Sequence, residues 1–169
     1  HMKMKDYVKD LNHLYKNEKA LHEIDNTYEG FDFIDPHNSE QSIITLMRKG
    51  KNERDFIIAV INFTPVVRYN YKIGVPYEGV YEEVFNTDNE KYWGSNQTME
   101  SSELTSYPEK WHNKDNHIRI KVPPLGATFI KGKELKIDTI QIDPNSKVSI
   151  GGKDKKVNKV NPKTKTQKL

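Results

Sequence analysis

Glu82-Glu83 is the pair of side chains in this sequence closest to acid–base machinery, since two carboxylates flanking a glycosidic bond can divide the work of cleaving it. Both fall in an alternating run, however. Successive strand residues point to opposite faces, so these two cannot flank one bond. His13 and His22 are nine apart, which is no ligand spacing on a helix. His112 and His117 flank a loop and have no carboxylate cluster at ligand spacing. Gly74 and Gly79 bracket a turn, while Gly94-Ser95 and Gly151-Gly152 stand alone. None of them opens a helix after a strand, as a phosphate-binding loop must. No serine sits in a Gly-x-Ser-x-Gly setting. The residue types thus predict no catalytic group, no metal site and no cofactor.

Composition narrows the classes further. The 169 residues suit one domain with an appendage. His1-Met2 reads as a remnant of tag removal and is set aside. The absence of cysteine excludes disulfides and thiolate metal sites and suits a reducing cytoplasm. No apolar run approaches a membrane span, and no signal peptide is visible. Hydrophobic residues make up 34% and charged residues 30%, polar enough to predict a disordered part. From Lys131 onward there are eleven lysines against four acids, leaving sixteen basic and twenty acidic residues before it. That basic end has no arginine and no aromatic residue, so it lacks the groups that read or stack on bases. It is expected to be a solvated end, with neither nucleic acid nor membrane as a partner.

The elements follow from periodicity. From Asp6 to about His22, Tyr7, Val8, Leu11, Leu14, Tyr15 and Leu21 recur at three-and-four spacing, which predicts an amphipathic helix with Asp6 as N-cap. After Gly30 the period drops to two. Phe31-Asp32-Phe33-Ile34 alternates, and Asp35-Pro36-His37-Asn38 predicts a turn. Residues 42–49 follow as a strand, and Phe56-Ile57-Ile58-Ala59-Val60-Ile61 as a central one. Further strands are predicted at 67–73, 80–85, 117–122 and 127–131, bounded by Pro65, Pro76 and Pro123-Pro124. Residues 87–116 predict a long loop packed down by Tyr92, Trp93, Tyr107 and Trp111. Many short strands separated by turns predict an antiparallel sandwich or barrel.

Certain motifs go beyond periodicity. Asp10-Leu11-Asn12-His13-Leu14-Tyr15, Ala20-Leu21-His22-Glu23-Ile24-Asp25 and Gly30-Phe31 leading into Ile34-Asp35 resemble the end of the catalytic barrel and the start of the C-terminal domain in bacterial 1,4-α-glucan (glycogen) branching enzymes. The likeness continues through Asn62-Phe63-Thr64-Pro65 and Arg68-Tyr69-Asn70-Tyr71-Lys72-Ile73-Gly74-Val75-Pro76. It then takes in Asn86-Thr87-Asp88, Tyr92, Gly94-Ser95 and Val122-Pro123-Pro124-Leu125-Gly126-Ala127. Residues 6–132 carry the resemblance; the loop 97–111 and everything after about Gly132 depart from it.

The resemblance implies a mainly β fold, an antiparallel β-sandwich of the α-amylase C-terminal domain type, preceded by one α-helix. Residues 3–29 would be the last helix of a catalytic barrel with its linker, and 30–132 the all-β domain. Outside the resemblance, alternation (Leu135, Ile137, Ile140, Ile142) predicts a further hairpin within 133–150, and the Lys/Asn/Thr-rich composition predicts a disordered lysine-rich tail over 151–169. In that family the catalytic carboxylates lie on barrel loops, so no residue here inherits a catalytic role. The expected partner is the domain's own catalytic barrel, in the cytoplasm, and the expected role is structural support. The alternative is an accessory α-glucan-binding surface, on which exposed rings stack on sugar faces, with Phe31, Phe33, Tyr92, Trp93 and Trp111 as candidates. Gly74, Gly79 and Gly126 are expected where a side chain would clash or φ is positive.

Overall fold

A computed structural model describes residues 2–137. Helix α1 spans Met2–Asn17. It starts four residues before the predicted Asp6, because Lys3, Met4 and Lys5 are good helix formers and nothing among them interrupts it. Asp6 therefore lies inside α1 and is not its cap. The helix also stops earlier than expected. Glu18 turns extended, and one 3-10 turn at Lys19–Leu21 re-aims Ala20 toward the sheet, where it is buried.

Eight strands follow: β1 (Phe31–Asn38), β2 (Ile43–Lys49), β3 (Phe56–Asn62), β4 (Arg68–Val75), β5 (Glu78–Asn86), β6 (Leu104–Thr105), β7 (Asn116–Val122) and β8 (Gly126–Lys136). Two expectations are corrected. Asp35-Pro36-His37-Asn38 is not a turn but the second half of β1, whose register against β2 shifts between Phe33 and Asp35 and again between Asp35 and Asn38. Pro36 is tolerated because β1 is an edge strand at an irregularity, where no ladder donor is needed. The long loop is less plain than predicted, since Leu104–Thr105 adds β6 to the edge at β5. Residues 133–136 extend β8 (Gly126–Lys136) rather than starting a new hairpin; the rest of 133–150, with 151–169, lies outside the described residues.

The architecture is the expected antiparallel sandwich. Six strands form one sheet in the order β1-β2-β3-β8-β5-β6, and β4 pairs with β7 in a second. Ile73 and Val75 from β4 and Ile118, Ile120 and Val122 from β7 share one core with Ile43, Met47, Ile58, Val60, Tyr81 and Ile130 of the larger sheet. The opposite face of β3 is buried too, at Ile57 and Ala59. That face is covered by α1 and its 3-10 extension, through Leu14 and Ala20. No helix among the described residues is long and apolar enough to cross a membrane.

Asn62 closes the open end of the sandwich. Its Nδ2 donates to the carbonyls of Val66 (2.8 Å) and Pro123 (2.9 Å). Its Oδ1 accepts from the amide (2.9 Å) and hydroxyl (2.8 Å) of Thr64. One amide therefore satisfies both proline-bounded loops at the end of a buried strand. Gly79 has φ +152°, and a Cβ there would strike the carbonyl of Glu134. Asn62→Ala would strand these buried groups, so it should lower unfolding free energy by about 3 kcal/mol in denaturant melts.

Candidate functional site

Two surfaces collect the groups able to contact a partner. The first surrounds α1 on the outer face of the six-stranded sheet. On β1, Phe31 and Phe33 project outward, and their rings meet edge-to-face with centroids 4.7 Å apart. Phe33 pairs with Leu46 across the ladder and is 52% exposed. At the other flank of α1, Met4, Tyr7, Phe63, Trp93 and Leu125 line a groove of about 520 Å³. Trp93 is 63% exposed there, and Val8 and Tyr15 face outward from the helix. Single exposed apolar residues mean little, but a run of them on both sides of one helix marks a contact surface.

The helix is held at both ends. Tyr7 packs against Tyr92 (centroids 5.2 Å apart) and Phe85 (5.9 Å), and the Tyr92 hydroxyl donates to Asp10 Oδ2 at 2.7 Å. The Lys91 ammonium lies 2.8 Å from the same carboxylate, and these two hydrogen bonds pull the Asp10 carboxyl below its usual range. At the far end Glu18 pairs with Lys131 on β8 at 2.9 Å.

The second surface lies on the β4 side of the sandwich. Trp111 stands on a tight turn, with mutual backbone bonds between Trp111 and Lys114 (3.0 and 2.9 Å) and left-handed φ at His112 (47°) and Asn113 (58°). The turn is pinned from three directions. Lys114 pairs with Asp32 at 3.1 Å, His112 Nε2 lies 3.4 Å from Asp35 Oδ2, and the Gly74 amide donates to His112 Nδ1 at 3.4 Å. A Cβ on Gly74 would collide with the Trp111 carbonyl, so the close approach needs glycine.

The five aromatic candidates therefore do not form one platform. Phe31 and Phe33 share one flank of α1, Trp93 borders the other, and Trp111 stands across the sandwich. Tyr92 serves as a packing residue beneath α1. The sequence reading missed Tyr69, Phe63 and Leu125 as surface residues, and Tyr71 as a half-buried ring packed against the core. Tyr69 and Tyr71 lie in a strand-like run, and the bulge that turns Tyr69 outward leaves no mark in an alternating pattern.

The acids and histidines sort into structural roles. Glu83 accepts from Thr128 Oγ1 (2.6 Å) and Asn86 Nδ2 (3.0 Å), whereas Glu82 lies 4.0 Å from Lys133. His13 and His22 are exposed, and His117 is buried beneath the stacked ring of Tyr107. Among the described residues no group of three or more His, Asp or Glu is placed to hold a metal ion. Asp88 organises the loop after β5, accepting from Ser95 N, Ser95 Oγ and Gln97 N at 2.8–2.9 Å.

Comparison with known proteins agrees with this architecture. The family profile described as "Alpha amylase, C-terminal all-beta domain" matches residues 33–133. The chain is similar to the 1,4-alpha-glucan branching enzyme of Halothermothrix orenii, 50% identical over 131 residues that are 78% of this chain and 21% of that protein. It is also similar to the enzymes of the same name from Oceanobacillus iheyensis (47% over 125 residues, 74% and 20%) and Aquifex aeolicus (42% over 132 residues, 78% and 21%). The matched part of the chain thus spans about a fifth of the length of these relatives.

Two measurements check this geometry. Tyr7→Ala removes the ring that anchors the first half of α1. It should cost about 3 kcal/mol, while Val8→Ala, on the exposed face, should cost less than about 0.5 kcal/mol. The second concerns pH. Burial holds the His112 imidazole below its ordinary value, and the Asp35 carboxylate opposes this only in part. The unfolded chain therefore takes up this proton first as pH falls below about 6.5. His112 contributes full stability above that pH and loses it as the pH drops toward its folded value. His112→Asn, which tolerates the left-handed backbone, should flatten the decline in denaturant midpoint between about pH 7 and 5.

Proposed function

The chain belongs to the α-amylase C-terminal all-β domain family, and from that premise we propose that it is the non-catalytic C-terminal domain of a 1,4-α-glucan branching enzyme, working in the cytoplasm as structural support for the catalytic barrel. Four-fifths of each relative lies outside the matched region, which leaves room for the barrel and whatever precedes it. The observation that carries the supporting role is the way α1 is shared. One stripe of the helix (Tyr7, Leu14) is packed on the β-domain, while Val8 and Tyr15 project away from it. The helix thus has a second face with no cover from the described residues, flanked by Phe31 and Phe33 on one side and by Phe63, Trp93 and Leu125 on the other. A barrel seated there would bury side chains worth roughly 1.5–3 kcal/mol each.

Two experiments test this reading. The chain alone should leave the iodine-stained spectrum of amylose unchanged, since the family's catalytic carboxylates would lie on barrel loops. Activity that persists through rigorous purification would overturn the non-catalytic assignment. The supporting role is tested by the pair Val8→Asp and Phe33→Asp, made both in this chain and in the whole parent enzyme. The isolated chain should melt as before, because both residues are exposed in it. The whole enzyme should lose roughly 3 kcal/mol or more of stability through buried charge. An unchanged melting temperature in the whole enzyme would remove the barrel from this face.

A further inference from the structure

Across the sandwich from α1, a groove of about 540 Å³ runs between the end of β1 and the start of β4, with Trp111 at one wall. Its construction differs from the apolar flanks of α1. Tyr69, 65% exposed, and Trp111, 40% exposed, present aromatic surface. The polar lining combines neutral amides and a phenol (Asn38, Gln41, Asn70 and Tyr71) with Arg68, Lys72 and His112. We propose that this groove is an α-1,4-glucan-binding site, with Tyr69 and Trp111 stacking on sugar rings and the amides of Gln41 and Asn70 hydrogen-bonding their hydroxyls.

The groove is set up in advance by its own fold. Tyr71 Oη donates toward Asp35 Oδ2 (3.4 Å) and accepts from Asn38 Nδ2 (2.9 Å), which also donates to Gln41 Oε1 (3.0 Å). Asn38 Oδ1 in turn accepts the Gln41 backbone amide at 3.2 Å. This chain fixes Asn38 and Tyr71 and spends the Gln41 carbonyl oxygen, leaving the Gln41 amide nitrogen as the group turned to a ligand. Beside it the β4–β7 ladder slips register between Arg68 and Tyr71, and Asn70 takes a left-handed φ of 53°. That bulge makes Tyr69 and Asn70 both exposed neighbours, which a regular strand would send to opposite faces. With His112, two non-glycine residues in left-handed backbone line one groove. Each is mildly costly, and their clustering fits a site whose geometry has been selected over its stability.

The chemistry favours a neutral polyol. Neutral amides supply paired donors and acceptors suited to vicinal hydroxyls, and aromatic rings suit the apolar faces of pyranoses. The nearby cations are engaged on ring faces, with Lys72 Nζ 4.9 Å from the Trp111 centroid and Lys121 Nζ 5.8 Å from that of Tyr69. Lys72 is one of the groove's charged lining residues, and its ammonium also lies 3.4 Å from Glu109 Oε1. Arg68, which also lines the groove, keeps a buried Nε with no hydrogen-bond partner among the described residues. A hydroxyl reaching that guanidinium would offset part of the cost. The choice of α-1,4-glucan among polyols rests on the branching-enzyme reading; the groove itself does not. A barrel seated over α1 would have the six-stranded sheet between it and this groove, so the site would stay open in the whole enzyme.

The test is titration of this chain with maltoheptaose, followed by amide and side-chain NMR shifts, with cellohexaose as the comparison sugar. Maltoheptaose should shift Gln41, Tyr69, Asn70 and Trp111 together. Tyr69→Ala and Gln41→Ala, both at surface positions, and Trp111→Ala should each weaken its binding about tenfold, the loss typical of an anchor residue. Trp93→Ala and Phe33→Ala should leave it unchanged. Tyr69→Ala keeps the experiment decisive if the pinned turn does not tolerate Trp111→Ala. Maltoheptaose binding that depends on Phe33 or Trp93 instead would overturn this groove and leave the branching-enzyme reading standing. No binding of either sugar would do the same. Cellohexaose binding here in place of maltoheptaose would overturn the α-glucan assignment together with the reading it rests on.

Discussion

A strand buried on both faces dictates the rest of this structure. Ile58 and Val60 of β3 enter the core shared with β4 and β7, while Ile57 and Ala59 on the reverse side are just as inaccessible. An apolar strand in the third position of a six-stranded sheet must be covered twice, or it exposes a face that would aggregate. The small sheet supplies one cover. The other comes from α1, a helix too short to be stable in water without tertiary contacts. The helix and the sheet therefore depend on each other. The 3-10 turn that ends α1 and buries Ala20 is the joint that lets a helix and a sheet of different period meet.

The same dependence explains where polar side chains are buried. Each end of the sandwich has loops bounded by prolines, which remove ladder donors and leave carbonyls to be satisfied. Asn62 answers for the loops at 62–66 and 123–126, and Asp88 answers for the loop after β5. Thr87 ties the two regions together by accepting the Ala127 amide at 2.8 Å. These side chains sit in motifs that look chemically suggestive in the sequence, yet their atoms are consumed by backbone groups. Buried polar residues with every lone pair occupied are structural, whereas Gln41 and Asn70 sit at the surface beside exposed rings. That contrast separates frame from candidate site here better than residue type does.

Much of this was open to reading from the chain alone. Alternation and β-branched runs located β2, β3, β4, β5 and β7 to within two residues and the first parts of β1 and β8, because a half-buried strand cannot hide its period. The Asn62–Pro65 segment announced a satisfied strand end, and Gly74 and Gly79 announced close backbone approaches. The resemblance carried by the ordered motifs indicated the family. The misreadings share a cause. Asp35-Pro36-His37-Asn38 has the composition of a turn, but on an edge strand with a shifted register the same residues remain extended. Asp6 looks like a cap, but capping is decided by where the helix begins, and good helix formers upstream carried it past.

The sequence by itself determined the period of most elements and the apolar content of the core, because these depend on residue type and short-range spacing. Only the tertiary structure decided which aromatic rings share a surface. Phe31, Phe33, Tyr92, Trp93 and Trp111 look equivalent as a list of rings. Folding sends two to one flank of α1, one to the other, one beneath the helix and one across the sandwich. Tyr69 joins Trp111 only because a bulge in β4 reverses the direction its strand position would give. Side-chain direction at a bulge, and contact between residues some forty positions apart, are set by long-range pairing and packing, and no local pattern encodes them.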